Sequence, residues 1–121
     1  MRTALILEDD ENRIERFKKE FSGHFYITFA RSAEEAEEIL SEEKSFDVIF
    51  LDHDLGGRRY VDPSDPNTGF QVAKMIVKYG TEYKTVIVHS MNYYGAVRIK
   101  YILHDAELVP YVNLFRVLEL T

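Results

Sequence analysis

Five short apolar runs recur along the chain, and amphipathic stretches separate them; no other feature restricts the fold as much. The runs are Ala4–Leu7, Phe25–Phe29, Val48–Leu51, Val86–Val88 and Leu108–Val112, rich in Val, Ile and Phe. Near-continuous apolar strands are what a parallel sheet requires when helices cover both of its faces. Between them, Ile14, Phe17 and Phe21 fall at helical spacing. Ser32-Ala33-Glu34-Glu35 reads as a capping box ahead of Ala36, Ile39 and Leu40. Thr68 is placed to cap a helix carrying Phe70, Ala73 and Ile76, which Gly80 ends, and Asn92 to cap one carrying Ala96, Ile99 and Leu103. The order βαβαβαβαβ, with right-handed crossovers, predicts an α/β fold: a doubly wound three-layer sandwich. Its five-stranded parallel sheet is expected in the common order 2-1-3-4-5. After the last run only Leu114–Thr121 remain, room for a shortened helix folding back or a short extra strand. An apolar edge left bare there would make a homodimer contact.

At 121 residues the chain is the size of a single domain, residues 1–121. Apolar residues at 45% and charged residues at 30% are globular proportions and argue against disorder. The net charge of −6, from 15 basic and 21 acidic residues, opposes generic nucleic-acid or membrane-surface binding. It does not oppose a nucleotide or RNA end held through a metal ion. Without cysteine there are no disulfides, no thiol catalysis and no cysteine zinc fingers. No apolar run approaches the ~18 residues that span a bilayer. Met1-Arg2-Thr3 leads straight into the first run with no secretory signal, so the expected location is cytoplasmic.

Ligands of open parallel sheets bind beyond the carboxyl ends of the strands, and the notable polar residues fall there. The first run ends in Glu8-Asp9-Asp10, the third in Asp52-His53-Asp54, and the fourth in His89-Ser90, with Asn92 opening the next helix. Neighbouring strands lie about 4.8 Å apart, so these ends can share one site. Carboxylates that close repel unless one is protonated or a cation holds them. An oxygen-rich site with few protein ligands suits Mg²⁺. Helix capping by Asp9 or Asp10 explains one acid, not acids at several strand ends.

ALILEDDEN, over Ala4–Asn12, resembles the opening of response-regulator receiver domains, which carry an acidic pair after the first strand. FDVIFLDHDL resembles their third strand and puts Asp52 at the phosphoacceptor position. Thr68-Gly69-Phe70 resembles the turn before their third helix, and Ser90 matches the Ser or Thr that ends their fourth strand. The likeness runs from Ala4 to about Val112. It implies the flavodoxin-like receiver fold, Mg²⁺ held by Asp9, Asp10 and Asp52, and phosphorylation of Asp52 by a histidine kinase. The register of the pair is open by one residue: Glu8, Asp9 and Asp10 are all candidates, and Asp9 belongs to it either way. The chain departs from that pattern in three places. The lysine that receivers carry at the end of strand five falls at Asn113 or Leu114. A long loop, Gly56–Asn67, follows the third strand, and two histidines, His53 and His89, are added. LDHDL, TG and HSMN together resemble the receiver-derived group named for cyclic-phosphate processing, which implies phosphoester chemistry in place of signalling.

Histidine titrates near neutrality, so His53 and His89 can divide the work of base toward water and acid toward a leaving ribose oxygen. Asp54 is placed to orient one imidazole, and Asn92, Ser90 or Arg58 to hold a phosphate oxygen, with N–H donors from the helix start at Asn92. The expected partner is then a phosphorylated small molecule or RNA end. In the signalling alternative Asp52 attacks a phosphoryl donor, Ser90 senses the transferred group, and no histidine is needed. A third alternative is a degenerate receiver that only makes protein contacts. His24 and His104 read as surface or packing residues, and Glu34 to Glu43 as a solvated helix face. Tyr93 and Tyr94 can stack on a base, although tyrosines at a helix start more often pack.

Overall fold

The computed structural model describes residues 1–119. The elements run β1 (Arg2–Leu7), α1 (Glu11–Phe21), β2 (Phe25–Ala30), α2 (Ala33–Glu42), β3 (Ser45–Leu51), α3 (Gly69–Lys78), β4 (Glu82–Val88), α4 (Tyr93–Ile102), β5 (Glu107–Leu108) and α5 (Tyr111–Glu119). All five strands are parallel, in the expected order β2-β1-β3-β4-β5. Alternate residues of the three central strands face opposite layers. Leu5, Leu7, Ile49, Leu51, Val86 and Val88 pack with Leu40, Val72, Ile76 and Ile99 from α2, α3 and α4. Ala4, Ile6, Phe50 and Ile87 pack with Phe17, Phe21, Leu114 and Phe115 from α1 and α5. Each such Leu, Ile or Phe contributes about 1.5–3 kcal/mol on burial, which makes these strands the rigid base of whatever stands on their ends.

Local signals set the helix ends. Ser32 accepts from the Glu35 N–H at 3.1 Å, Thr68 from Gln71 at 3.3 Å and Asn92 from Gly95 at 3.0 Å. At the end of α3, Gly80 takes φ +62°. The Thr81 N–H then reaches the Ile76 carbonyl and the Gly80 N–H the Val77 carbonyl, a Schellman closure. Among the described residues no helix is long and apolar enough to cross a membrane.

The fifth strand differs from its expected span of Leu108–Val112. Only Glu107 and Leu108 pair with β4. Pro110 has no N–H to continue the ladder, and Tyr111 and Val112 already belong to α5. That helix is the shortened terminal element: it has nine residues and folds back so that Tyr111 and Phe115 meet Phe17. No extra strand forms there among the described residues; of the expected span, Leu120 and Thr121 lie outside them.

Two glycines let α3 and α4 close onto the end of β3. A Cβ on Gly69 would lie 1.9 Å from the Asp52 carbonyl oxygen, and a Cβ on Gly95 would lie 2.4 Å from the His53 ring. His53 is fully buried, so its ring has little room to yield. Gly95→Ala should therefore destabilise the protein by about 1–2 kcal/mol in urea denaturation, overpacking outweighing the gain in helix propensity of roughly 1 kcal/mol. An unchanged or raised midpoint would show that the ring is not seated against α4.

Candidate functional site

β3 lies between β1 and β4, and the register pairs Leu7 with Leu51 and Leu51 with Val88. The next residues along, Glu8, Asp52 and His89, are thus level with one another and share the face toward α1 and α5. One ligand atom from each lies within 4.8 Å of the others. All three are buried, Glu8 and His89 completely. Glu8 Oε1 bonds His89 Nε2 at 3.0 Å, while its Oε2 accepts the backbone N–H groups of Asp9 and Asp10, each at 3.1 Å. The His89 ring stands edge-on to Phe17, with centroids 5.3 Å apart. Asp52 Oδ1 accepts the His53 N–H at 2.8 Å.

The two carboxyls respond differently to one environment. Burial works to raise Glu8, but the bond to His89 and its charge, the Asp10 N–H and Arg13 outweigh it and hold Glu8 below its ordinary value. Asp52 has less compensation: burial, aided by the nearby Glu8 charge, pushes it up to about 6 against the pull of His89 and Arg13.

Above the cluster opens a cleft of about 610 Å³. Asp9, Asp10, Asp52, Asp54, Arg58, Ser90 and Asn92 all line it, joined by Arg13 and Arg59. Several of them also bond within the protein. Asp10 caps α1, accepting the Arg13 N–H at 3.0 Å, and Asp9 accepts the Gly57 N–H at 2.8 Å. Glu8, the remaining candidate of the ambiguous register, is the acid brought against Asp52 and His89. Arg58 spends its fork on Asp65, at 2.9 and 3.2 Å, and its Nε on the Leu55 carbonyl, so it staples the loop. Asn92 Nδ2 donates to Asp54 at 3.0 Å and its Oδ1 caps Gly95, which leaves it scaffold work in place of a free phosphate donor. Ser90 Oγ accepts the Asn92 N–H at 3.0 Å and keeps its own proton available.

The histidines are not brought together. His53 follows Asp52 directly, and consecutive strand-end residues point to opposite faces. Its ring lies under α4 against Gly95, with Nδ1 3.0 Å from Asp54 Oδ1. His89 lies on the other face, neither ring reaches solvent, and neither lines the cleft. A direct division of acid and base roles between them is not what the fold provides. Among the described residues, each ring keeps one buried nitrogen without a partner, His53 Nε2 and His89 Nδ1.

β5 stops at Leu108, which pairs with Val88, so Val109 is the β5-side residue level with His89, while Asn113 and Leu114 lie further on in α5. The cation near the cluster comes from α1 instead. Arg13 NH1 lies 3.8 Å from Glu8 Oε1, and its guanidinium stacks 4.4 Å over the Tyr111 ring. A basic residue in the first turn of a helix opposes the macrodipole, and that was the available sequence signal for it. Two carboxylates with an imidazole beside them form a donor set that a divalent cation fits: the oxygens suit Mg²⁺, and the imidazole admits a softer ion such as Mn²⁺.

The family model for the cyclic-phosphate-processing receiver domain matches residues 3–105. The chain belongs to this family. No curated protein sequence matches it. Among solved structures this receiver is similar to a Burkholderia pseudomallei response regulator with a phosphorylated aspartic acid, a calcium ion and citrate, at 18% identity and TM-score 0.71. That match covers 98% of the chain but only 65% of the other protein. The HemR receiver domain of Leptospira biflexa is 25% identical with TM-score 0.66, covering 100% of this chain and 97% of that one. The Thermotoga maritima regulator TrrA, in complex with Mg²⁺ and BeF, is 23% identical with TM-score 0.66, covering 91% and 86%.

Two outcomes check the cluster. A carboxyl raised from 3.8 when unfolded to about 6 when folded stabilises the receiver while protonated, and that contribution is lost as pH rises from about 4 through 6. Asp52→Asn should therefore gain up to about 3 kcal/mol over the native protein at pH 8 in EDTA, with little gain at pH 4; equal stability at pH 8 would contradict a raised Asp52. Glu8→Ala strands His89 and two backbone N–H groups, and should cost about 3–5 kcal/mol in denaturant titrations.

Proposed function

We propose that this receiver domain hydrolyses a cyclic phosphodiester on a nucleotide or RNA end, at a site centred on Asp52 and dependent on a divalent cation. The observation that carries this reading is the Glu8–Asp52–His89 cluster, whose two acids open into a cleft with arginines on its wall, with Val109 and no lysine level with the cluster just after β5. The family match supports it.

A cyclic phosphodiester brings one negative charge and two non-bridging oxygens. Arg13 and Arg59 line the cleft, and Arg59 makes no ion pair among the described residues. Guanidinium groups suit those oxygens, and their charge stabilises the phosphorus centre as it gains a fifth oxygen. Glu8 and Asp52, with Asp9 and Asp10 on the same wall, would hold Mg²⁺, which when bound neutralises phosphate charge and acidifies water. One P–O bond to the ribose breaks, one to the water oxygen forms, and the water proton ends on the ribose oxygen. Ser90, with a free O–H at the cleft, donates toward that leaving oxygen. His89 acts through Glu8 and His53 through Asp54, both as positioning residues. Asp54 also accepts the Tyr60 and Val61 N–H groups, at 2.7 and 3.1 Å, and so sets the loop over the cleft.

Incubation with 2′,3′-cyclic nucleotides, followed by ³¹P NMR, tests the reading. Turnover should require Mg²⁺ or Mn²⁺, vanish in Asp52→Ala and fall about tenfold or more in Arg13→Met, the loss of one charge-assisted contact. Mg²⁺ affinity should fall as pH drops through about 6, where Asp52 takes up its proton. A lasting acyl phosphate on Asp52 after acetyl phosphate, with no turnover of any cyclic ester, would assign the site to phosphorelay signalling instead.

A further inference from the structure

We propose that the groove between α3 and α4 binds the nucleotide preceding a cyclic-phosphate end, so that single-stranded RNA, and not a free mononucleotide, is the preferred substrate class. This rests on the reading of the cleft given above. The groove encloses about 500 Å³ and shares no lining residue with the cleft. The two are nevertheless neighbours along both bordering segments. Tyr60 and Asn92 line the cleft, while Asp62 and Tyr94 line the groove, two residues on in each case. Two residues span at most about 7 Å, a distance that one nucleotide step covers.

The groove offers the two features a nucleotide needs. Phe70 forms part of its wall, with Lys74 Nζ and Arg98 Cζ each 5.7 Å from the ring centroid. Neither cation makes a salt bridge among the described residues, although the chain carries a net charge of −6. Two unneutralised cations flanking one ring repel each other until an anion joins them. Tyr94, one of the tyrosines expected to pack at the helix start, is 63% exposed at the groove, and Tyr93 beside it is 75% exposed. An exposed ring next to paired cations is the arrangement on which a base stacks while its phosphate is held. The groove's one carboxylate, Asp62, is bonded to the Ser64 N–H at 2.8 Å. With excess acid elsewhere, the surface would not hold a long strand, so recognition is confined to one or two nucleotides.

The test uses the full chain with Mg²⁺ and two substrates, an RNA pentamer ending in a 2′,3′-cyclic phosphate and a 2′,3′-cyclic mononucleotide. Tyr94→Ala, and a Lys74→Ser, Arg98→Ser double variant, should each raise KM for the pentamer about tenfold and leave kcat/KM for the mononucleotide unchanged. The double variant should also flatten the log–log salt dependence of pentamer binding by about 1.4. Equal KM for both substrates in the native protein, or no effect of the groove variants, overturns the proposal. Displacement of a labelled 3′-hydroxyl pentamer by oligoglutamate as readily as by unlabelled RNA would overturn it in favour of an acidic peptide. Groove-dependent binding of that pentamer, with no turnover of any cyclic end, would keep the groove as an RNA site and remove the hydrolytic reading of the cleft.

Discussion

The hydrogen bond between Glu8 and His89 joins β1 to β4 across the end of the strand between them. Those strands are about 10 Å apart, so no backbone ladder connects them, and only side chains arching over the end of β3 can do so. Everything polar at this end of the sheet is arranged around that arch. Glu8 can remain ionised in a dry place because it accepts from an imidazole and two backbone N–H groups at once. With its capacity used in this way, Glu8 leaves Asp52 as the undercompensated acid, and the high pKa of Asp52 follows. A cation arriving from the cleft would meet one carboxyl ready to exchange its proton for it and another already charged.

The same geometry separates the work of the two histidines. Strand alternation sends His89 toward α1 and α5, where Phe17 supports its ring, and His53 toward α4, where Gly95 makes room for it. Both imidazoles are sealed from solvent, so their influence reaches the cleft through the acids they hold. The positive charge that faces solvent there is carried by arginines, beside the acids Asp9, Asp10 and Asp54, and the Arg13 guanidinium stacks on Tyr111 at the start of α5. The short terminal helix thus contributes to the cleft as well as to the core.

Much of the fold was legible because its signals are local. Ser32, Thr68 and Asn92 announced helix starts, Gly80 announced a stop, and unbroken apolar runs announced strands buried on both faces. The fifth strand was over-extended because Leu108-Val109 and Tyr111-Val112 are as apolar as a strand, and the single Pro110 between them decides the matter. At the site, the strand ends that border the cleft were legible, but the side chains that meet there were only partly so. That Asp52 and His53 face opposite ways follows from their adjacency. That Glu8, and not Asp9, lies level with Asp52 depends on a register that no local signal fixes. The bonds of Arg58 and Asn92 to Asp65 and Asp54 were not legible for a related reason: a polar side chain near a cleft can serve the cleft or the scaffold, and such partners are found only in three dimensions.

Asp54 ties the loop after β3 at its middle, through the amides of Tyr60 and Val61, while its other contacts reach His53 and Asn92. The excursion from Gly56 to Asn67 is thereby two small arcs joined at this knot, with the Arg58–Asp65 fork bridging one arc to the other, and not one long flap. Residues inserted into either arc would bulge into solvent and leave the knot in place, so length variation should be tolerated on both sides of it and forbidden at it.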